Sequence, residues 1–314
     1  PLTGRPSMSQ SSRVTIVGTG LLGASLALAL KRRGEGEVGE VIGVGRSRQT
    51  LDAAMATGGF DAVSTDLASV LPGTSLVVLA TPLSGFEAAL ETIGGWARDM
   101  QDAGPTPQGE SAGVGLIVTD VGSTKSPPLE AARRWLPAGV RFVGSHPMAG
   151  SERRGPEAAD AGLFRGRPCI VCREPETDAA AFEAVAGMWR SLGMKVLTMP
   201  AEEHDRQTAA TSHLPHAAAV MLVHAAEELG GWDVASTGFR DTTRLASSNP
   251  PMRRDIMRGN RRALLDALGE LRRQIEAVES HIEAADAGDL LDYLDGARER
   301  REAWLKSYES ERDG

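Results

Sequence analysis

Short runs of β-branched and aliphatic residues recur along the first two hundred positions, each followed by a stretch of helical spacing. The runs are Val14–Val17, Val41–Val44, Leu76–Ala80, Leu116–Thr119, Val140–Val143, Cys169–Val171 and Lys195–Leu197. Apolar strands alternating with helices predict a parallel sheet covered on both faces. Thr81-Pro82 and Ser126-Pro127 mark helix starts, with proline at or near the first turn. Residues 101–113 are rich in Gly, Pro and Gln and read as a mobile loop before the next strand.

From about Pro200 the pattern turns helical almost throughout. Residues 202–229 predict one long helix, kinked or broken near Pro215. Within it, Ala217–Val223 is apolar on nearly every face, which predicts a buried helix with His224 packed in it. Asn249-Pro250-Pro251 reads as a capped helix start. Leu264, Leu268, Leu271, Ile275, Val278 and Ile282 then recur at alternating spacings of four and three, an a/d seam on a long helix. Such a seam packs inside the domain or against a second subunit, and a helical dimerisation domain is the favoured reading. The expected class is α/β. A doubly wound, mostly parallel sheet spans residues 13–199, an all-α domain spans 200–314, and residues 1–12 are a polar, disordered leader.

Composition narrows the functions available. A formal charge of -8 is a poor footprint for nucleic acid, and no apolar run reaches the length of a membrane span. Two cysteines, Cys169 and Cys172, fit a reducing cytoplasm. On a strand their spacing points them to opposite faces, and no second pair completes a zinc site, so no metal is expected.

Gly18-Thr19-Gly20-Leu21-Leu22-Gly23 follows the first strand and opens the first helix. This is the strand–turn–helix setting of a Rossmann dinucleotide site. Gly18 permits the tight turn, Gly20 lets the backbone approach the pyrophosphate, and Gly23 lets the helix pack on the sheet. Ala80-Thr81-Pro82, at another strand end, is small enough to let the cofactor pass. The second strand ends in Gly45-Arg46-Ser47-Arg48, with no acid for a ribose 2′-hydroxyl. Arg46 and Ser47 suit a 2′-phosphate, which favours NADP over NAD; Ser47 also reads as a simple N-cap.

Ligands of doubly wound sheets lie beyond the carboxyl ends of the strands. Two further loops are expected there, Asp120-Val121-Gly122-Ser123-Thr124-Lys125 and Gly144-Ser145-His146-Pro147. His146 can carry a proton near neutral pH, and Ser123 is placed by topology near the same nicotinamide end. Lys125 reads as a ligand contact, a surface charge or a partner of Asp120. His204 and His281 have charged neighbours and are expected at the surface. His213 and His216 sit three apart on one helix face.

Five segments in order carry a resemblance: Gly18–Gly23, Asp120–Lys125, Gly144–Gly150, Ser212-His213-Leu214-Pro215-His216 and Gly238-Phe239-Arg240-Asp241-Thr242-Thr243-Arg244. From about Arg13 to about Ile256 the chain resembles the prephenate/arogenate dehydrogenase family of tyrosine biosynthesis. The resemblance implies oxidative decarboxylation of prephenate, or of arogenate, with hydride transfer to NAD(P)+. It implies that His146 draws off the 4-hydroxyl proton and that Ser123 bonds that hydroxyl or keeps His146 in the useful tautomer. It implies that Arg244 clamps a substrate carboxylate, and that His213, His216 and Lys125 contact substrate. Arg253 stands where many members carry tryptophan, in Asn249-Pro250-Pro251-Met252-Arg253-Arg254-Asp255-Ile256. Arg253 bears on pocket shape and adds positive charge suited to a dicarboxylate. The competing readings are a β-hydroxyacid dehydrogenase and a regulator that senses NAD(P) without turnover. The first needs a catalytic lysine in the helical domain, and only Lys195 and Lys306 follow Lys125.

Overall fold

The computed structural model describes residues 13–32, 39–103, 115–150, 153–284 and 287–313. The expected leader and most of the 101–113 loop lie outside them. Six parallel strands form the main sheet: β1 (Arg13–Val17), β2 (Glu40–Val44), β3 (Ala62–Ser64), β4 (Thr74–Leu79), β5 (Ile117–Asp120) and β6 (Arg141–Val143). Their order is β3-β2-β1-β4-β5-β6, so the chain winds outward in both directions from β1. Helices α1 (Leu21–Lys31), α2 (Arg48–Ala56), α3 (Phe86–Asp102) and α4 (Ser126–Trp135) make the crossovers.

Strand alternation sorts the core into two layers. Val14 and Ile16 of β1, with Leu76 and Val78 of β4, face Ala24, Leu26, Ala27 and Leu30 of α1. Val17, Val77 and Leu79 face Phe86, Leu90 and Ile93 of α3 on the other side. Burial on both faces is why these strands read as unbroken apolar runs rather than alternating ones.

The last two predicted strands do not extend this sheet. β7 (Ser145–Pro147), β8 (Pro168–Cys172) and β9 (Lys195–Met199) form a second sheet, in which β7 runs antiparallel to β8 and β8 parallel to β9. The segment expected as the His146 loop is therefore a short strand, its middle residue paired with Ile170. Helix α5 (Ala179–Ser191) packs on this sheet through Phe182, Val185 and the buried Trp189. Cys169 and Cys172 are both buried and join different core clusters, as alternating strand positions require.

Among the described residues beyond β9 every regular element is helical: α6 (Ala201–Thr208), α7 (Leu214–Glu228), α8 (Thr237–Thr243), α9 (Pro250–Gly259), α10 (Arg261–Glu283) and α11 (Gly288–Asp313). A π-helical turn over Ala209–His213 joins α6 to α7, so the expected break lies just before Pro215. The wider turn accommodates a proline that cannot donate to the helix ladder. Within one chain α7 is not buried as its composition predicts: only His216 and Ala219 are, while Val220, Met221, Leu222 and His224 are exposed.

The chain divides into two compact units, one ending at Arg261 and one beginning at Arg262. In the second unit, Tyr293 of α11 donates to Gln274 of α10 at 3.1 Å and packs on His281. Of the α10 seam, Leu264 is buried, and Ile275 and Ile282 are exposed.

Candidate active site

The loops at the carboxyl ends of the central strands leave the sheet in one row. The amide of Gly18 donates to Val44 O at 2.7 Å, that of Ala80 to Val17 O at 2.7 Å, and that of Val121 to Leu79 O at 3.0 Å. The three glycines of the first loop differ in what they do. Gly18 has φ +106°, and a Cβ there would meet the Ala80–Thr81 backbone at 2.5–2.6 Å. A Cβ on Gly23 would lie 1.9 Å from Gly18 O, so that glycine brings α1 against the turn. At Gly20 a Cβ would meet nothing within 4 Å. The fold thus does not require glycine at 20; what glycine does there is keep clear the space before the N-terminus of α1. That terminus has no side-chain cap and no acid in its first turn, which suits a pyrophosphate. Leu21 and Leu22 pack against the core just behind it. Thr81 Oγ1, beside Pro82 at the end of β4, is buried without a hydrogen-bond partner, a polar group that a ligand would satisfy. Arg46 and Ser47 are exposed at the end of β2, and Ser47 Oγ caps α2 by accepting from Thr50 N at 3.3 Å. These residues fit a dinucleotide.

β7 places His146 on the same rim. Ser145 Oγ donates to Asp120 O at 2.5 Å, which ties β7 to the end of β5. Trp189 Nε1 donates to Ser145 Oγ at 3.0 Å from the other side. His146 Nδ1 lies 2.8 Å from His204 Nε2, and His204 Nδ1 lies 2.8 Å from Asp205 Oδ1. The Asp205 carboxylate also accepts the amides of Lys125 at 2.7 Å and Ser126 at 2.8 Å, at the N-terminus of α4. Burial works against its ionisation, but the bonds from His204, the Ser126 side chain and the two amides prevail and hold Asp205 below the usual carboxylate range.

An ionised carboxylate only accepts, so the tautomers follow in sequence. His204 Nδ1–H donates to Asp205, His204 Nε2 accepts from His146 Nδ1–H, and His146 Nε2 keeps its lone pair. Burial, then the neighbouring His204 and Lys125, lower the pKa of His146 well below that of an ordinary histidine. A neutral imidazole in a fixed tautomer is what a general base requires.

A helical wall stands behind this chain. Asn260, just past α9, donates Nδ2 to Asp205 O at 2.7 Å and to His213 Nδ1 at 3.0 Å, so His213 carries its proton on Nε2. Burial holds His213 at a pKa of about 4. His216 Nδ1 donates to Ser212 O at 2.8 Å, which leaves its buried Nε2 without a partner. Burial disfavours protonation of His216, and the charges of Arg253 and Arg244 add to the effect.

Two expectations change. Lys125 is fully buried; its ammonium is held by Asp120 and by Ser145 O at 2.6 Å, so it braces the β5 and β7 ends instead of facing substrate. His204, expected at the surface, is buried, and its Nε2 lies within hydrogen-bond distance of His146 Nδ1. Ser123 lies in the β5–α4 loop, part-exposed. The signal for His204 was present: Ala201, His204, Asp205 and Thr208 fall at i, i+3, i+4 and i+7 and form the inward stripe of α6. Arg244 is exposed at the end of α8, and Asp241 pairs with Arg240 at 2.9 Å.

Comparisons with known proteins identify the family. Residues 110–198 match the family model described as prephenate dehydrogenase, nucleotide-binding domain, and residues 200–296 the one described as prephenate dehydrogenase, dimerization domain. Residues 13–102 match a model described as NADP oxidoreductase, coenzyme F420-dependent. The prephenate dehydrogenase of Bacillus subtilis is 33% identical over 92% of this chain and 75% of its own. The chain belongs to the prephenate dehydrogenase family. A second family member, the cyclohexadienyl dehydrogenase of Zymomonas mobilis, is 30% identical over 94% of this chain and 96% of its own. Among solved structures, prephenate dehydrogenase from A. aeolicus in complex with hydroxyphenyl propionate and NAD+ superposes with a TM-score of 0.82 at 27% identity. It covers 93% of this chain and 98% of that one. The Synechocystis arogenate dehydrogenase gives 0.76 at 29% identity, over 93% and 99%. Membership of the prephenate dehydrogenase family makes the chain an NAD(P)-dependent oxidoreductase with a Rossmann domain. No helix among the described residues is long and apolar enough to cross a membrane.

Proposed function

We propose that this protein oxidises and decarboxylates prephenate to 4-hydroxyphenylpyruvate, with NADP+ as the hydride acceptor. The observation that carries the reading is the His146–His204–Asp205 chain, standing on the strand rim that also bears the glycine turn. When bound, the nicotinamide supplies the acceptor for the hydride leaving C4. His146 takes the hydroxyl proton at Nε2, and the charge it gains is shared with His204 and anchored by Asp205. Carbon dioxide then leaves the ring and carries away no proton. The electron pair it leaves makes the ring aromatic with a phenolate oxygen, to which His146 returns its proton. General base assistance of this kind is worth about 10²–10⁴-fold.

Ser123 is assigned to the substrate hydroxyl, Arg244 to a substrate carboxylate through its planar fork, and His213 and His216 to the pocket wall. The NADP preference rests on exposed Arg46 and on the absence of an acid in Gly45-Arg46-Ser47-Arg48. The exposed face of Val220, Met221 and Leu222 lies within the region matching the dimerization domain, which supports a homodimer. The two free, buried cysteines support a cytoplasmic setting.

Purified protein is given prephenate or arogenate with NAD+ or NADP+, and the absorbance of the reduced cofactor is followed. Turnover of prephenate, faster with NADP+, is expected; no reduced cofactor in any of the four mixtures refutes the reading.

A further inference from the structure

Helix α9 turns one stripe inward: Arg253, Ile256 and, just past its end, Asn260, spaced three and four apart. Ile256 and Asn260 are buried, and Asn260 holds His213. Arg253 stands one turn earlier on that stripe. It is half-buried, and its Nε is buried without a hydrogen-bond partner. Burial disfavours protonation of His213 and His216, and the charge of Arg253 adds to the effect at both, with Arg244 adding further at His216. Two cations from separate helices therefore bear on one imidazole, whose Nε2 is itself buried and unpartnered. Among the described residues no carboxylate pairs with Arg253, and burial lowers its own pKa. A desolvated guanidinium without an anion is costly, and that cost is removed when a ligand brings the anion.

We propose that Arg253 is a specificity-determining residue that selects a 2-keto dicarboxylate over its 2-amino counterpart. The inference rests on the reading of this site as that of a prephenate dehydrogenase. Prephenate carries two carboxylates, matching two cations. Its side chain ends in a carboxylate next to a keto oxygen, and both groups accept hydrogen bonds from a planar fork. Arogenate carries an ammonium at that carbon. Facing Arg253, it sets donor against donor and like charge against like charge in a partly desolvated pocket, which is discrimination by repulsion. An aromatic residue at this position would lack that repulsion and would attract an ammonium through its ring face.

The test measures kcat/KM for prephenate and arogenate with saturating NADP+, on full-length wild type, Arg253→Gln, Arg253→Lys and Arg253→Trp, with thermal melting as the check on folding. Wild type is expected to favour prephenate by about tenfold or more. Arg253→Gln lowers that ratio about tenfold, mainly through the KM for prephenate, because uniform binding is lost and not the chemical step. Arg253→Trp lowers it at least as far. Arg253→Lys keeps the charge and stem packing but not the fork, and lowers it severalfold. An active wild type whose ratio stays within twofold in folded Gln and Trp variants overturns the role of Arg253 alone. If those two do not fold, an unchanged ratio in the lysine variant overturns it. A wild type inactive on both substrates overturns the underlying reading of the site, and this inference with it.

Discussion

Replacing Asp205 with asparagine tests the proton chain at its anchor. The carboxylate takes three donors: His204 Nδ1 at 2.8 Å and Lys125 N at 2.7 Å on one oxygen, and Ser126 N at 2.8 Å on the other. An asparagine amide has one acceptor oxygen and two N–H groups. If its oxygen stays with Lys125, its nitrogen meets the Ser126 amide; if reversed, its nitrogen meets both Lys125 and His204. In the first case one charge-assisted bond is lost, at about 1.5–3 kcal/mol. In the second, His204 Nδ1 becomes an acceptor, His204 Nε2 donates, and the His146 proton is driven onto Nε2, where it blocks the base. Loss of tautomer control costs a large part of the general-base advantage, so kcat should fall about 10²–10⁴-fold. KM should move little, since Asp205 is buried behind two imidazoles. The assay is steady-state kinetics with prephenate across pH, paired with thermal denaturation. A folded variant with kcat within threefold of wild type and an unmoved pH profile would refute the argument.

Gly18→Ala should destabilise by roughly 2–4 kcal/mol, because it combines a positive φ with a backbone clash. Gly20→Ala should leave the melting temperature within a degree or two and raise the cofactor KM about tenfold or more, since its Cβ enters only the ligand's space; melting curves and cofactor titrations separate the two. Arg46→Ala should lower kcat/KM for NADP+ about tenfold more than for NAD+; equal losses would remove Arg46 from 2′-phosphate recognition. The histidines give a signed pH effect. His146, His204, His213 and His216 all have folded pKa values below the ordinary 6.5. Below that pH the unfolded chain binds protons that the folded chain does not, so stability falls as pH drops through the window beneath 6.5. For His213, lowered to about 4, the loss is on the order of 3 kcal/mol by pH 4. Urea midpoints at pH 7 and pH 5 check the sign, and His213→Asn should flatten the dependence.

How much of this was legible depended on how local each signal is. The glycine turn could be read because strand, turn and helix are contiguous. The central strands could be read because both faces are buried. β3 escaped notice because Ala62-Val63-Ser64 is three residues at a sheet edge, part-exposed throughout. The separation of β8 and β9 into a second sheet was not legible, since an apolar strand carries no label for its partners. His146 drew attention through its neighbours in sequence, whereas its working partner lies 58 positions away on a helix dense with charges. There His204 looks like one more polar residue unless the inward stripe is counted. Lys125 stayed open because an ammonium in a glycine-rich loop looks the same from sequence whether it meets a ligand or a buried carboxylate. The α7 face differs for another reason: an apolar run reads as core, yet Val220, Met221 and Leu222 are exposed in the single chain.

The π-turn at Ala209–His213 has a consequence for how the site is encoded. At about 100° per residue, nine residues of regular α-helix would carry His213 to the side of the rod opposite His204. Widening one turn is equivalent to absorbing an extra residue, which brings the two imidazoles to within about 80° of one another around the axis. Asn260 can then touch both His213 and the Asp205 carbonyl. The alignment is thus stored in a residue count and not in any side chain. Exchanging the exposed Ala210 for another helix former would leave it intact, while deleting it would rotate half the site out of register. This stretch should tolerate spelling changes and punish changes of length.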